Sequence, residues 1–126
     1  MPAFYHIDKD RKIVMSTASG VLTRKDLTTH MQGLLKDPDF NPSFSQLADF
    51  SHITGRELTA EDIRDIARTT VFSPNSRRAF IVADDQSESL AEMFAILRDV
   101  AGERGIRVFR TLEEGIDWII PHVPTY

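Results

Sequence analysis

The sequence contains no cysteine in 126 residues. This absence excludes disulfide bonds, thiol catalysis, thiolate zinc sites and iron–sulfur clusters, and it is typical of a protein in the reducing cytoplasm. Long apolar runs are missing as well, because the longest is AFIVA at 79–83, far too short to cross a membrane. The N-terminal MPAFYHIDKDRK has no basic stretch leading into an apolar segment, so it predicts no signal peptide. We therefore expect a soluble, cytoplasmic protein with no membrane span.

Basic residues are fewer than acidic ones, with 15 Lys and Arg against 19 Asp and Glu, which gives a net charge of -4. This balance argues against a broad basic face for nucleic acid. The sequence has no Gly-x-Gly-x-x-Gly and no other glycine-rich phosphate loop, so it predicts no nucleotide cofactor. The sequence has four histidines, His6, His30, His52 and His122. No two of them are spaced to share one face of a helix, so no zinc site is predicted. We expect no nucleic acid partner, no cofactor and no metal.

The composition is that of an ordinary globular protein, with 41% hydrophobic and 27% charged residues. The length predicts a single domain over residues 1–126. Near the N-terminus, β-formers on both sides of a polar tetrapeptide at 8–11 predict an antiparallel hairpin that ends near Gly20. Thr23 is then a predicted cap of a first helix, whose apolar positions are Leu27, Met31, Leu34 and Leu35. The segment FSQLADF at 44–50 follows as a third strand.

The second half of the sequence alternates helices and strands. RAFIVAD at 78–84 is apolar on consecutive residues, which is typical of a strand covered on both faces, and IRVFR at 106–110 predicts an edge strand. Apolar stripes at helical spacing predict three helices, carried by Ile63, Ile66, Ala67, Thr70 and Val71, by Leu90, Met93, Phe94, Leu97 and Val100, and by Leu112, Ile116, Ile119 and Ile120 before Pro121. The order ββαβαβαβα predicts an α/β fold, a five-stranded mixed sheet with four helices and right-handed crossovers. In such sheets ligands bind at the carboxyl ends of the strands, where the strand order reverses.

Several polar residues lie close together in LADFSHITGRELTAEDI at 47–63, between the third strand and the second helix. Asp49, Ser51 and His52 are the residue types of a base and a nucleophile, but neighbours on a strand point to opposite faces. We therefore predict a turn in which Asp49 and Ser51 satisfy backbone groups and His52 is exposed, with no catalytic residue. Thr59 is a predicted N-cap, like Thr23 and like Thr111, which opens a full capping box in RTLEE.

Other candidates lie further along the chain. Asp84 and Asp85 follow the central strand, where a ligand or Mg²⁺ would be met, but the pattern DQSE favours a helix cap at Asp85. Arg77 and Arg78 have the charge to bind an anion, but the simpler prediction is a solvated start of that strand. Met93 and Phe94 are predicted to be core packing. Trp118 lies off the centre of its helix stripe, which predicts partial exposure at a partner or dimer surface.

The element order, with LADFSHIT leaving the third strand, resembles the anti-sigma-factor-antagonist domains, also called the STAS or SpoIIAA-like family. Asp49, Ser51 and Ile53 match the first part of their motif, Asp-Leu-Ser-x-Val. The second part, Asp-Ser-Ser-Gly, is not matched: Leu58 occupies the place of the phosphorylatable serine, and only a shift of one residue puts Thr59 there. The segments GVLTRKDL, DPDFNP, FSPNSRRA and VFRTLEEGIDWI are similar to uncharacterised bacterial SpoIIAA-like proteins.

The resemblance implies a non-enzymatic regulatory or interaction domain that acts through a protein partner, without an intact phosphoacceptor motif and with Thr59 as the remaining candidate. Related folds of the SEC14 type bind lipids, so a carrier that holds an apolar or anionic small molecule between the sheet and the second and third helices is the alternative. An open apolar cleft would favour the carrier, and a filled core with an exposed patch the partner role. An exposed edge strand also allows a homodimer. The candidate ligand or partner surface comprises Asp49, Ser51, His52, Thr54, Thr59, Asp84, Asp85 and Trp118.

Overall fold

Strands and helices alternate in the order that the sequence predicts. The structure is a computed structural model that describes residues 3–120. Its elements are β1 (Ala3–Asp8), β2 (Ile13–Thr23), α1 (Arg24–Lys36), β3 (Ser45–Glu57), α2 (Ala60–Ile66), β4 (Arg78–Ile81), α3 (Asp85–Val100), β5 (Ile106–Phe109) and α4 (Leu112–Ile119). The predicted end of the last helix at Pro121, and His122, lie outside the described residues. Within 3–120 no helix is both long and apolar enough to cross a bilayer.

The strand order in the sheet follows the chain, β1-β2-β3-β4-β5. β1 is antiparallel to β2, and the other neighbours are parallel. Right-handed crossovers that always step in the same direction put their helices on the same face, and α1, α2 and α3 accordingly share one face while α4 packs on the other. The described sheet has no reversal of strand order, so the expectation of a ligand at a reversal point is wrong.

Each face of the sheet has its own apolar cluster. Side chains alternate between faces along a strand, so the consecutive apolar residues of β4 are divided between the two layers, as predicted for a strand covered on both sides. The cluster under α4 consists of Ile13, Leu47, Ala79, Ile81 and Ile119. The cluster under α1 consists of Val14, Leu34, Val71 and Phe72.

β3 is longer than the sequence predicts, because it continues to Glu57 instead of turning after Phe50. Its extension pairs with the long strand β2, and the register shifts between Thr17 and Ser19 and again between Gly20 and Val21. At both places β3 carries an extra residue, which defines β-bulges, and Gly20 takes a φ of 70° that glycine adopts without strain. Asp49, Ser51 and His52 therefore lie in a bulged strand, and the prediction of a turn at these residues is wrong.

The helices also end differently from their predicted apolar stripes. α2 stops at Ile66, and Val71 and Phe72 are buried in the segment that follows it while Thr70 is exposed. Val100, predicted in the core, is 85% exposed because the last turn of α3 instead buries Arg98.

Three threonines begin helices, as predicted. Thr23 and Thr59 form full capping boxes with the aspartates three residues on. Thr111 accepts a hydrogen bond from the Glu114 backbone N–H at 3.2 Å, but the Glu114 carboxylate accepts one from the Thr111 hydroxyl at 2.9 Å. The full capping box predicted at Thr111 is therefore not formed, because the side chain of Glu114 stops at the hydroxyl and does not reach the backbone N–H.

Candidate functional site

Asp49, Ser51 and His52 meet at the first bulge of β3. The backbone N–H and the hydroxyl of Ser51 donate to Asp49 Oδ1 at 2.9 and 2.6 Å. His52 Nε2 lies 3.5 Å from Asp49 Oδ2, and its side chain is 65% exposed. The carboxylate therefore stands between the serine and the imidazole, whereas a hydrolytic triad needs the imidazole between the other two groups. The bonds made by Asp49 are local, as predicted, although they stabilise a bulge instead of a turn.

Thr54 and Thr59 are both exposed. The Thr59 hydroxyl accepts a hydrogen bond from the Asp62 backbone N–H at 3.1 Å, so it is engaged in the cap of α2. Phosphorylation of Thr59 stays a prediction.

Asp84, and not Asp85, caps α3, because the capping residue is one position earlier than the pattern indicates. The Asp84 carboxylate accepts a hydrogen bond from the Ser87 backbone N–H at 2.7 Å and pairs with Arg56 at 3.2 Å. That backbone hydrogen bond in particular holds the pKa of Asp84 below its usual value. Asp85 is exposed and pairs with Arg110. In the described part of the chain no three acidic or histidine side chains converge on a place for a metal ion.

Trp118 is half-buried on the α4 side of the sheet. Its ring centroid lies 5.8 Å from that of Phe109, and the guanidinium carbons of Arg77 and Arg107 lie 5.3 and 5.4 Å from it. Arg77 also donates to the Trp118 carbonyl at 3.0 Å. The indole is thus covered by its own chain, on the sheet face opposite to α1, α2 and α3.

A largely apolar cavity of about 120 Å³ lies between the sheet and α1, α2 and α3. Its size is close to that of a cavity of about 150 Å³ that holds a benzene ring in another protein. Small side chains at Ala18, Ala48 and Ala91 leave the space unfilled. The cavity opens to solvent, because several of its apolar lining residues are only half-buried, among them Leu27, Ile53, Leu58, Leu90 and Phe94. None of these residues was predicted to form a site, and Phe94 lines the cavity instead of only packing in the core.

One corner of the cavity is polar and is joined by a chain of hydrogen bonds. Arg78 Nε donates to Gln46 Oε1 at 3.0 Å, and Gln46 Nε2 donates to Ser16 Oγ at 3.1 Å. Ser16 Oγ lies 2.9 Å from His30 Nε2. A guanidinium only donates, so Arg78 fixes the orientation of the Gln46 amide, whose nitrogen donates to the Ser16 hydroxyl. All four residues line the cavity.

His30 is neutral at physiological pH. Burial, and after it the charge of Arg78, lowers the pKa of His30 from 6.5 to about 4. The neutral imidazole carries a proton on only one of its two nitrogens. A general base works best with a pKa near the operating pH, so the Ser16–His30 pair has the distance of a nucleophile and its base but not the basicity.

Arg78 belongs to a buried charge cluster with Arg98 and Glu103. Arg78 is 8% exposed and Glu103 is 2% exposed. Arg78 Nη1 and Arg98 Nε each donate to the Glu103 carboxylate at 2.9 Å. The prediction that Arg78 is a solvated residue is wrong. Strand periodicity was the available signal, since Arg78 shares one face of β4 with Phe80, which is large and apolar.

Comparison with known proteins identifies the fold. No family model matches the sequence, and no curated protein does. Three solved chains match it, and one of them is an uncharacterised protein of the DUF3478 family with a SpoIIAA-like fold from Shewanella loihica PV-4. It is 19% identical, the match covers 93% of each chain, and the TM-score is 0.58. The resemblance predicted from the sequence is confirmed at the level of the fold: the chain has a SpoIIAA-like α/β fold.

Proposed function

We propose that the protein binds a small, mainly apolar molecule in the cavity between the sheet and α1, α2 and α3, and does not transform it chemically. The observation that supports this proposal is the cavity itself, which is open, apolar and about 120 Å³ in volume. Protein interiors are close-packed, with few voids larger than a water molecule. An open apolar cleft is also the feature that favours the carrier alternative over the partner role predicted from the family resemblance.

The cavity is large enough for a useful affinity. Burial stabilises by about 0.8 kcal/mol per methylene group. A chain of about six carbons would therefore gain about 5 kcal/mol, which corresponds to a Kd on the order of 0.2 mM. An alcohol such as 1-hexanol is a suitable first ligand because it is neutral and narrow.

Binding without catalysis is the better proposal for two reasons. The Asp49 carboxylate stands between Ser51 and His52, so these three residues lack the order of a triad. Inside the cavity, the lowered pKa of His30, about 4, makes the imidazole a poor base for Ser16. The cytoplasmic location stays a prediction from the absence of cysteine.

The test is a titration of ¹⁵N-labelled protein with 1-hexanol followed by NMR. We expect saturable shifts of the amides near the cavity, such as those of Ile53 and Leu90, and little change in α4. Ala91→Leu fills the cavity from α3 and should abolish these shifts. Ala95→Leu makes the same change on the same helix, at a residue outside the cavity lining, and should bind as the wild type does. Shifts that do not saturate, or that are equal in both variants, would contradict the proposal.

A second candidate, the interaction role predicted from the sequence, is favoured by the face that α4 leaves open. α4 packs on β3, β4 and β5, while Phe4 and Met15 on β1 and β2 are exposed. β1 is also an edge strand, and such edges pair with a second copy when unprotected. We propose a homodimer through β1 as the form of this candidate. Analytical ultracentrifugation should show a dimer that the double variant Phe4→Ser, Met15→Ser dissociates; a monomeric wild type would exclude it.

A further inference from the structure

The buried charge cluster formed by Arg78, Arg98 and Glu103 carries an excess of positive charge. Two guanidiniums share one carboxylate, so the cluster has a net charge of +1. Each nitrogen of Arg98 has a partner, because beyond Glu103 it donates to the Ala67 carbonyl at 2.8 Å and to the Thr70 hydroxyl at 3.1 Å. A buried charge is costly unless it is paired. The guanidinium nitrogen without a partner therefore belongs to Arg78.

Arg78 also has donors to spare. Its Nε donates to Gln46 and its Nη1 donates to both oxygens of Glu103. No residue between 3 and 120 accepts a hydrogen bond from Nη2, and in that range no side-chain nitrogen or oxygen is both buried and without a partner. Nη2 must then border open space. The side chain that carries Nη2 is one of those that line the cavity.

Three aromatic rings hold the guanidinium of Arg78 in place. The guanidinium carbon lies 4.4, 5.3 and 5.6 Å from the ring centroids of Phe72, Phe80 and Phe94. Such cation–π contacts cover the faces of the group and leave its edge to donate hydrogen bonds. A fixed guanidinium edge is the geometry that recognises a carboxylate.

The other ionisable groups of the cavity do not supply the missing negative charge. Asp49 is the only acidic residue of the described lining, and its carboxylate accepts from Ser51 and lies beside His52. Arg56, another lining residue, is paired with Asp84. His30 is held neutral by burial, which lowers its pKa.

We infer that the ligand is a small amphiphilic anion, a monocarboxylate with an apolar chain or ring, whose carboxylate binds Arg78 at the cavity edge. One negative charge would balance the buried charge cluster and give Nη2 an acceptor. The apolar part would occupy the space among α1, α2 and α3. This inference rests on the proposed binding function and adds the chemical class of the ligand.

The test compares hexanoate with 1-hexanol on the wild-type protein at neutral pH, by NMR titration. The two ligands share the chain and differ in charge. We expect hexanoate to bind at least tenfold more tightly. Equal affinities would overturn this inference and leave the proposed function standing, whereas no saturable binding of either ligand would overturn both. Binding of hexanoate that persists in Ala91→Leu would place it on the surface and would also overturn the inference.

Two variants locate the effect at Arg78. Gln46→Glu places a carboxylate against Arg78 Nε and neutralises the cluster, so the affinity for hexanoate relative to that for 1-hexanol should fall at least tenfold. Arg77→Gln, at the exposed neighbour that stacks on Trp118, should change neither affinity. Equal losses for both ligands in Gln46→Glu would show that shape and not charge matters, and would overturn the inference. The Gln46 variant preserves the ion pair with Glu103, which Arg78→Gln would break.

Discussion

Ser16 on β2 and His30 on α1 are joined by a hydrogen bond of 2.9 Å between Oγ and Nε2. Ser16 Oγ also accepts a hydrogen bond from Gln46, which Arg78 orients. The imidazole can accept only while Nε2 carries no proton. Protonation of His30 therefore reverses this hydrogen bond and places a second positive charge near Arg78 at the edge of the cavity.

We predict that stability falls with pH below the ordinary pKa of histidine. The pKa of His30 is about 4 in the folded protein and 6.5 for the unperturbed group, so the unfolded chain binds more protons between these values. The contribution is complete above 6.5 and is lost as the pH falls toward 4. Allowing for partial solvent access of the ring, we expect a loss of about 2 kcal/mol from this group.

Urea unfolding across this range checks the prediction. His30→Gln should show a flatter pH dependence than the wild type, because the group that takes up the proton is gone. His52→Gln removes an exposed imidazole and should keep the wild-type slope. Parallel curves for the wild type and His30→Gln would contradict the lowered pKa.

The buried charge cluster predicts a strong effect of a single carboxylate. Glu103→Ala leaves Arg78 and Arg98 buried side by side without their shared partner, and we expect a loss of about 3–5 kcal/mol in the free energy of unfolding. Asp99→Ala removes the partner of Arg104 in an exposed pair at 3.2 Å. Such pairs contribute about 0–1 kcal/mol. Chemical denaturation should show a clearly larger loss of unfolding free energy for Glu103→Ala than for Asp99→Ala. Similar losses would show that the buried charge cluster contributes no more to stability than an exposed ion pair.

Two glycines should respond in opposite directions to alanine. A Cβ on Gly105 would lie 1.9 Å from the Ser76 carbonyl oxygen, so the backbone must shift, and we expect Gly105→Ala to cost about 2 kcal/mol or more. Gly33 lies inside α1, where a Cβ would be 3.6 Å from the Tyr5 ring, an ordinary contact. Gly33→Ala should stabilise by up to about 1 kcal/mol. Thermal unfolding measures both, and a stable Gly105→Ala protein would contradict the packing of the loop before β5 on Ser76.

The polar bulge of β3 should be dispensable for binding. Ser51 and His52 bond to Asp49 and are not part of the cavity lining. The double variant Ser51→Ala, His52→Ala should therefore bind 1-hexanol within twofold of the wild type. A large loss of affinity would show that the ligand binds at the bulge, which carries the residues of the sequence motif, and not in the cavity.

Local sequence patterns were enough to predict the order of strands and helices. They failed where the structure depends on contacts between residues that are distant in the sequence. The apolar run of β4 and the apolar stripes of the helices are set by residues close together in the sequence, so the places of these elements were predictable. The extension of β3 depends on a long partner, β2, whose pairing through two bulges leaves no periodic signal. The burial of Arg78 depends on Glu103, 25 residues away. The cavity is harder still to predict, because it arises where small side chains from three elements, Ala18, Ala48 and Ala91, happen to face one another.

Because the strand order follows the chain, the cavity and the α4 layer lie on opposite faces of the sheet. Three crossovers in the same direction place the cavity on one side of the sheet, and the described lining comes from residues between Ala3 and Phe94, with none from β5 or α4. Changes on the α4 side reach the ligand only through the strands. That layer can therefore be redesigned for thermal resistance, or fused to another module, while ligand choice is tuned independently on the opposite side.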